Sequence, residues 1–173
     1  LEAQSDSRAS DLIIRPLEES DFQDLVALYE SVAQERRWIG TEPGFDKDQY
    51  IAHWRRQLDG IWGAAFVAIR NDCIVGYAGT KPHEEYGHLV AMMVREGHRR
   101  EGIGGKLLDA ALNWARERAL PSISLLVFAH NERAIALYRA RGFQQREYYE
   151  EDVTRQSGEV WDTILMTKTL IPT

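Results

Sequence analysis

Three glycines within four residues, Gly102, Gly104 and Gly105, stand between an apolar run and an amphipathic segment, and no other feature restricts this chain so tightly. The run before them, His88 to Val94 (HLVAMMV), has the length and the Val, Met and Leu content of a buried strand. A charged turn, Arg95 to Glu101, follows it. Beyond the glycines, Ile103, Leu107, Ala111 and Trp114 recur at helical spacing. The unit therefore reads strand, glycine turn, helix. Glycines at the mouth of a helix let a ligand reach the backbone, and the unpaired N–H groups there favour an anion, typically a phosphate. A dinucleotide-binding turn needs glycine where Leu107 stands. A P-loop needs glycine at Arg100 and Ser or Thr at Leu107. The pattern present is R-x-x-G-x-G: Arg99, Gly102 and Gly104.

A chain of 173 residues is the size of one domain with a proper core, and its hydrophobic and charged fractions are ordinary for a soluble protein. Residues 1–10 read as a frayed tail or an expression remnant, and residues 11–173 as a single domain. No apolar run approaches a membrane span, and no signal peptide is visible, so no membrane association is expected. Cys73 is alone, which excludes an internal disulfide and suits a reducing cytoplasm. The net charge of −6 hides an asymmetry: residues 95–146 hold ten Lys and Arg against five Asp and Glu, the rest 11 against 22. Such clustering describes a solvated helix face, or a basic collar around a phosphate site with an acidic acceptor side. The second reading favours a cationic amine and disfavours nucleic acid.

Taken in order, residues 11–17 read as a short strand and residues 19–38 as an amphipathic helix begun by Ser20. Residues 40–44 are a break, and residues 46–58 a second helix carrying Tyr50, Ile51, Trp54 and Leu58. Residues 64–70 and 74–81 are strands joined by a tight turn at Asn71 and Asp72. Pro121 stops the helix that follows the glycines, and residues 122–129 form the next strand, parallel to the His88 strand through a right-handed crossover. Asn131 caps a short helix closed by Gly142 in the left-handed conformation. Residues 143–150 and 160–169 form a final antiparallel hairpin. The fold class is mixed α/β: a twisted, mostly antiparallel sheet with one parallel pair, the fourth and fifth strands, flanked by helices. Ligands collect at the carboxyl ends of such a pair, where the glycine turn also sits.

A second motif follows at the end of that parallel pair. The pattern N-x-x-A-x-x-L-Y-x-x-x-G-F is complete as Asn131, Ala134, Leu137, Tyr138, Gly142 and Phe143. With the R-x-x-G-x-G loop before it, at the right distance and in the right order, the chain resembles the GNAT superfamily of N-acetyltransferases over residues 12–170. The resemblance implies an acetyl-CoA-dependent enzyme without a metal. It implies that the backbone of Met92, Met93 and Val94 pairs with the pantetheine arm. The N–H groups of Arg99, Arg100, Glu101, Gly102, Ile103, Gly104 and Gly105 are then expected to wrap the pyrophosphate. Asn131 matches a position that touches the cofactor arm, and Tyr138 matches the proton donor to the departing thiolate. Asn131 also serves as a plain helix cap, and Met92, Met93 and Tyr138 as core filler.

An amine near pKa 10 must lose a proton before it attacks. Many relatives place a glutamate six residues before the end of the central strand; here that position is His88. Histidine titrates near 6.5 and serves directly or through water. Glu84 and Glu85, just upstream, are alternative bases. The spacing of His83 and His88 does not fit the zinc motif, whose histidines lie four apart on a helix. In relatives the first two helices and the last hairpin line the acceptor site. Here they carry Trp38, Glu42, Tyr50, Trp54, Tyr148, Tyr149, Glu150 and Glu151, aromatics and carboxylates suited to a cationic amine. The expected activity is direct transfer of acetyl to a primary amine of a small molecule or peptide in a ternary complex, since Cys73 at a hairpin start offers no covalent route. Backbone N–H groups near Val94 are expected to polarise the thioester carbonyl. Rival readings are a non-catalytic CoA-binding module and an acyltransferase using a longer acyl group or a hydroxyl acceptor. A homodimer is compatible with the composition.

Overall fold

The computed structural model describes residues 11–83 and 86–171, so Glu84, Glu85 and the tail over residues 1–10 lie outside the described residues. In chain order the elements are β1 (Ile13–Pro16), α1 (Phe22–Gln34), α2 (Lys47–Gln57), β2 (Ala65–Arg70), β3 (Cys73–Pro82), β4 (Gly87–Val94), α3 (Ile103–Glu117), β5 (Ser122–Phe128), α4 (Glu132–Ala140), β6 (Gln144–Thr154) and β7 (Val160–Thr169). The strands form one seven-stranded sheet in the order β1-β2-β3-β4-β5-β7-β6, antiparallel except where β4 meets β5. This is the mixed sheet the sequence pattern implies.

Local chemistry sets most boundaries. Asn71 and Asp72 adopt φ of 50° and 58°, the left-handed pair that a two-residue hairpin requires. Asp46 caps α2 by accepting from the Gln49 N–H at 3.1 Å. Asn131 caps α4 by accepting from the Ala134 N–H at 3.3 Å, and Gly142 closes the helix at φ 85°. One cap differs from expectation. Ser20 does not start α1; residues 19–21 form a 3-10 turn, and the Asp21 carboxylate accepts from the Glu18 N–H at 2.8 Å. Arg15 holds that carboxylate with two bonds of 2.6 and 2.9 Å and keeps its pKa below the ordinary range. A charge-assisted acceptor outcompetes a serine hydroxyl. The helix also ends earlier, at Gln34, with Arg36 in the left-handed region at φ 53°.

Each face of the sheet carries its own core. Helix α3 lays Leu107, Leu108, Ala111 and Trp114 against Ala68, Val75, Leu89 and Leu125. Gly76 permits this approach, since a Cβ there would stand 2.9 Å from Leu107 Cδ1. On the opposite face, Leu25, Leu28, Tyr29 and Val32 of α1 and Trp54 of α2 cover Val67, Ile74, Tyr77 and Met93. Full burial of each such large side chain contributes about 1.5–3 kcal/mol, which fixes both layers against the sheet.

The sheet splits in its middle. Strands β4 and β5 pair at only three positions, Gly87 with Ile123, His88 with Ser124 and Leu89 with Leu125. Where this ladder stops, β4 also slips against β3: Leu89 faces Thr80 and Ala91 faces Gly79, so Val90 is an extra residue. Such a bulge bends its strand. From Val90 onward β4 pairs with β3 alone, and from Leu126 onward β5 pairs with β7 alone. Two strand edges thus face each other across a wedge at the carboxyl ends of the parallel pair. Among the described residues no helix is long and apolar enough to cross a membrane.

Candidate active site

A cavity of about 1150 Å³ fills the wedge and passes from one face of the sheet to the other. One arm is lined by the end of β4, the start of α3 and helix α4; the other by residues 38–41, α2, Asp152 of β6 and Thr163 of β7.

The first arm ends on the glycine turn. Arg100 and Gly102 both adopt left-handed backbone, φ 67° and 80°, which curls successive N–H groups toward one side. Gly102 caps α3 but supplies no side-chain acceptor, and the first helical bond runs from Lys106 N–H to Gly102 O at 3.1 Å. The N–H groups of Ile103, Gly104 and Gly105 precede it and have no helical partner. They present the positive end of the α3 dipole to the cavity. A Cβ on Gly104 would stand among Leu137, Val94 and Met92 at 3.4, 3.9 and 4.0 Å, all lining residues. The protein tolerates that carbon, so the glycine keeps room inside the cleft. These features fit an extended ligand with a phosphate end.

Arg99 and Glu101 contribute differently from their neighbours. Arg99 lines the cleft, but its guanidinium is committed to protein: it donates to both Glu35 oxygens at 2.6 and 2.7 Å and to the Val94 carbonyl at 2.8 Å. The same Glu35 accepts from Trp38 Nε1 at 2.8 Å. Arg99 therefore ties the glycine turn to the end of α1 and leaves an anion to the backbone. The Glu101 side chain turns out to Arg70, and Glu101 is not among the lining residues. Ile103 and Met93 bury their side chains in the two cores, while Met92 and Val94 line the wedge and join the α3 core at its margin.

Asn131 and Tyr138 both line the cavity. The Asn131 oxygen is used as the helix cap, and its amide nitrogen has no partner among the described residues. Burial pushes the Tyr138 hydroxyl well above its usual pKa, so it stays protonated at neutral pH. Among the described residues it makes no hydrogen bond, and it is available as a donor.

His88 lies elsewhere. It sits before the split, paired across β3 with Lys81 and across β5 with Ser124, and is not among the lining residues. Its pKa, expected near 6.5, is pushed down to about 4 by burial, Lys81 and His83, so it is neutral but weakly basic. Of the expected acceptor residues, Trp38, Tyr50 and Trp54 line the second arm, Trp54 as a buried member of an aromatic core with Tyr29 and Tyr77. Glu42 instead pairs with Arg155 at 3.4 Å and caps the Gln156 N–H. Tyr148, Tyr149, Glu150 and Glu151 are exposed and outside the lining. Asp152 and His53 line the cavity instead: a bulge in β6 brings Asp152 in, and His53 stands on α2 next to Trp54, while Glu35 does not line it but holds Arg99 from just beyond α1. The side chains of Arg100 and Arg133 stand on the first arm together with His98. Among the described residues no group of His, Cys, Asp and Glu is placed to hold a metal ion, and Cys73 is exposed at the start of β3.

Known proteins resemble this chain. A mycothiol acetyltransferase from Streptomyces scabiei is 33% identical over 94 residues, which are 53% of this chain and 30% of that protein. The chain thus matches only about a third of that relative's length. A ribosomal-protein-alanine N-acetyltransferase from Brucella melitensis superposes with a TM-score of 0.80 at 27% identity, covering 91% of this chain and 99% of its own. A GNAT-superfamily phosphinothricin acetyltransferase from Sinorhizobium meliloti, in complex with acetyl-CoA, superposes with a TM-score of 0.81 at 17% identity, covering 92% and 88%. That last likeness is one of fold. The family model for the Acetyltransferase (GNAT) family matches residues 25–143, well over half of the chain. The split sheet, the glycine turn at its mouth and that match agree: this chain belongs to the Acetyltransferase (GNAT) family.

Proposed function

We propose that the protein is an acetyl-CoA-dependent N-acetyltransferase that moves an acetyl group to a primary amine by direct attack in a ternary complex. One observation carries the reading: two unpaired strand edges converge on the uncapped N-terminus of α3. The amides of residues 99–105 hold the diphosphate, and the β4 backbone at Met92, Met93 and Val94 pairs with the amide-bearing pantetheine arm. The Asn131 amide nitrogen donates to the same arm. When bound, acetyl-CoA supplies a thioester whose C–S bond breaks as the amine nitrogen forms the new N–C bond, the electron pair leaving on sulfur. N–H groups near Val94 polarise the carbonyl. Tyr138 gives its Oη proton to the departing sulfur and is reprotonated by the proton that the acylated nitrogen sheds. The amine sheds an earlier proton before it attacks, taken by Glu84, by Glu85 or, through water, by His88, which stands outside the cleft.

Release of free thiol from acetyl-CoA across a panel of amines tests this. Turnover with at least one primary amine, and a product 42 mass units heavier (the acetyl increment), is expected from the chemistry of acetyl transfer. The position of His88 outside the cavity lends weight to a second reading, a CoA-binding module without chemistry. Tight CoA binding with no turnover on any amine would establish it. A heavier mass increment, or an ester product, would instead assign a longer acyl group or a hydroxyl acceptor.

A further inference from the structure

Strand β6 breaks its pairing beside the cleft. Tyr149 faces Thr163 and Val153 faces Trp161, so three residues of β6, Glu150 to Asp152, span the single residue Asp162 of β7. Glu151 at the centre is left-handed, φ 49°, a conformation a glutamate adopts only when its surroundings hold it. Asp162 holds it: one carboxylate oxygen accepts from the Glu151 N–H at 2.8 Å and the other from the Tyr148 hydroxyl. The bulge re-aims the next side chain, and Asp152 lines the cavity while its neighbours Glu150 and Glu151 do not. The Thr163 hydroxyl donates to Asp152 Oδ2 at 2.6 Å and orients the carboxylate. Oδ1 has no partner among the described residues.

Asp152, itself exposed, is the one carboxylate lining the cavity among the described residues; the aromatic and apolar side chains Trp38, Ile39, Tyr50 and Trp54 share its arm with Thr41, Gln49 and His53. Leu126, half exposed at 50%, lines the same cavity as Trp38, Ile39 and Tyr50. The Tyr50 hydroxyl is already engaged by Thr41 at 2.7 Å. His53 shares this arm, and burial together with Arg56 and Lys81 lowers its pKa, which favours the uncharged imidazole at neutral pH. The acceptor arm thus offers one negative charge beside a largely aromatic surface. The cations of the cavity belong to the other arm.

Resting on the acetyltransferase reading, we infer that Asp152 is the binding residue for the acceptor ammonium, and that the acceptor is a monoamine with an apolar or aromatic body. An amine carrying an adjacent carboxylate places a second negative charge against Asp152. A polyamine brings a second cation for which this arm has no counter-charge.

The probes are 2-phenylethylamine, phenylalanine, which adds only the carboxylate, and spermidine, each with acetyl-CoA. The expected result is kcat/KM for 2-phenylethylamine at least tenfold above both. Asp152→Asn should raise KM for 2-phenylethylamine tenfold or more with KM for acetyl-CoA unchanged, and Asp152→Glu should recover part of the loss. Equal use of phenylalanine, or an Asp152→Asn enzyme with an unaltered amine KM, overturns the inference while leaving the acetyltransferase reading intact. Absence of turnover on every amine strikes that reading instead. Calorimetry of 2-phenylethylamine on CoA-loaded protein then decides: binding lost in Asp152→Asn supports the site, and binding absent from the unaltered protein or equal in both refutes it.

Discussion

Replacing Gly104 by alanine should make the protein more stable and a poorer binder of its coenzyme. Gly104 is the second residue of α3 and does not use left-handed backbone. Exchanging glycine for alanine in a helix is worth up to about 1 kcal/mol, and about half of that is reasonable in a first turn. The added carbon meets nothing closer than Leu137 Cδ2 at 3.4 Å, so no internal clash cancels the gain. In a domain of this length such a gain raises Tm by roughly 1–2 °C. The same methyl group projects into the cleft where the diphosphate must approach the Ile103, Gly104 and Gly105 amides. Forcing one methyl group into a fitted contact costs about 1–3 kcal/mol, which weakens Kd roughly 5- to 150-fold. Titration calorimetry with CoA and thermal unfolding of the same samples read both signs. A Kd within twofold of the unaltered protein would refute the placement of the diphosphate, and a fall in Tm beyond a degree or two would refute the geometry of α3. Gly104→Glu extends the series, with binding abolished by bulk and like charge and folding preserved.

Three further outcomes follow from the same geometry. Tyr138→Phe should lower kcat by roughly 10²-fold, the lower end for general acid catalysis, with little change in CoA affinity; an unchanged kcat would remove Tyr138 from the chemistry. Glu35→Gln breaks a partly buried ion pair with Arg99, side chains 18% and 27% exposed, and should cost about 1–3 kcal/mol in urea unfolding and weaken CoA binding. A double-mutant cycle with Arg99→Gln should show clear coupling, and additive losses would sink the clamp. His88 has a folded-state pKa of about 4 against an ordinary 6.5, so the unfolded chain takes up its proton first as pH falls. Its contribution to stability is complete above 6.5 and is lost toward pH 4, on the order of 1–3 kcal/mol once partial exposure is allowed for. In His88→Gln the urea midpoint should depend less on pH between 7 and 4.5; equal slopes would show that burial of His88 is not the cause.

Much of this molecule is written locally in its sequence. Asn71 and Asp72 specify their hairpin, Asn131 and Gly142 bound their helix, and the glycines at 102, 104 and 105 announce the mouth of α3, because each acts through backbone preferences of adjacent residues. The arm that ends on the glycine turn, proposed to hold the coenzyme, is legible for the same reason. The other arm, proposed for the acceptor, is not. The aromatics and carboxylates of the last hairpin point to Tyr148 through Glu151, but the bulge held by Asp162 carries Asp152 to the cleft instead. Glu35 lies 64 residues from Arg99, and nothing near either residue announces that they meet. The Val90 bulge and the three-residue ladder are products of competing strand registers, which no single stretch encodes. His88 is assigned by its count from Val94, yet the side chain stands below the fork in the sheet rather than inside it.

A sheet interrupted midway carries a hazard and a remedy together. Open strand edges invite foreign chains to dock, and the usual defences are charge, proline or a covering helix. Here the gap is short: β4 and β5 rejoin at Leu89 and Leu125, so an intruding peptide could pair with only a few residues. A thin arm bearing spaced amide groups fits where a side-chain-laden strand does not. A coenzyme arm held there, as proposed, would close the gap between the β1–β4 and β5–β6 halves of the sheet, so binding should rigidify the domain and protect the amides of Val90 to Val94 from hydrogen exchange.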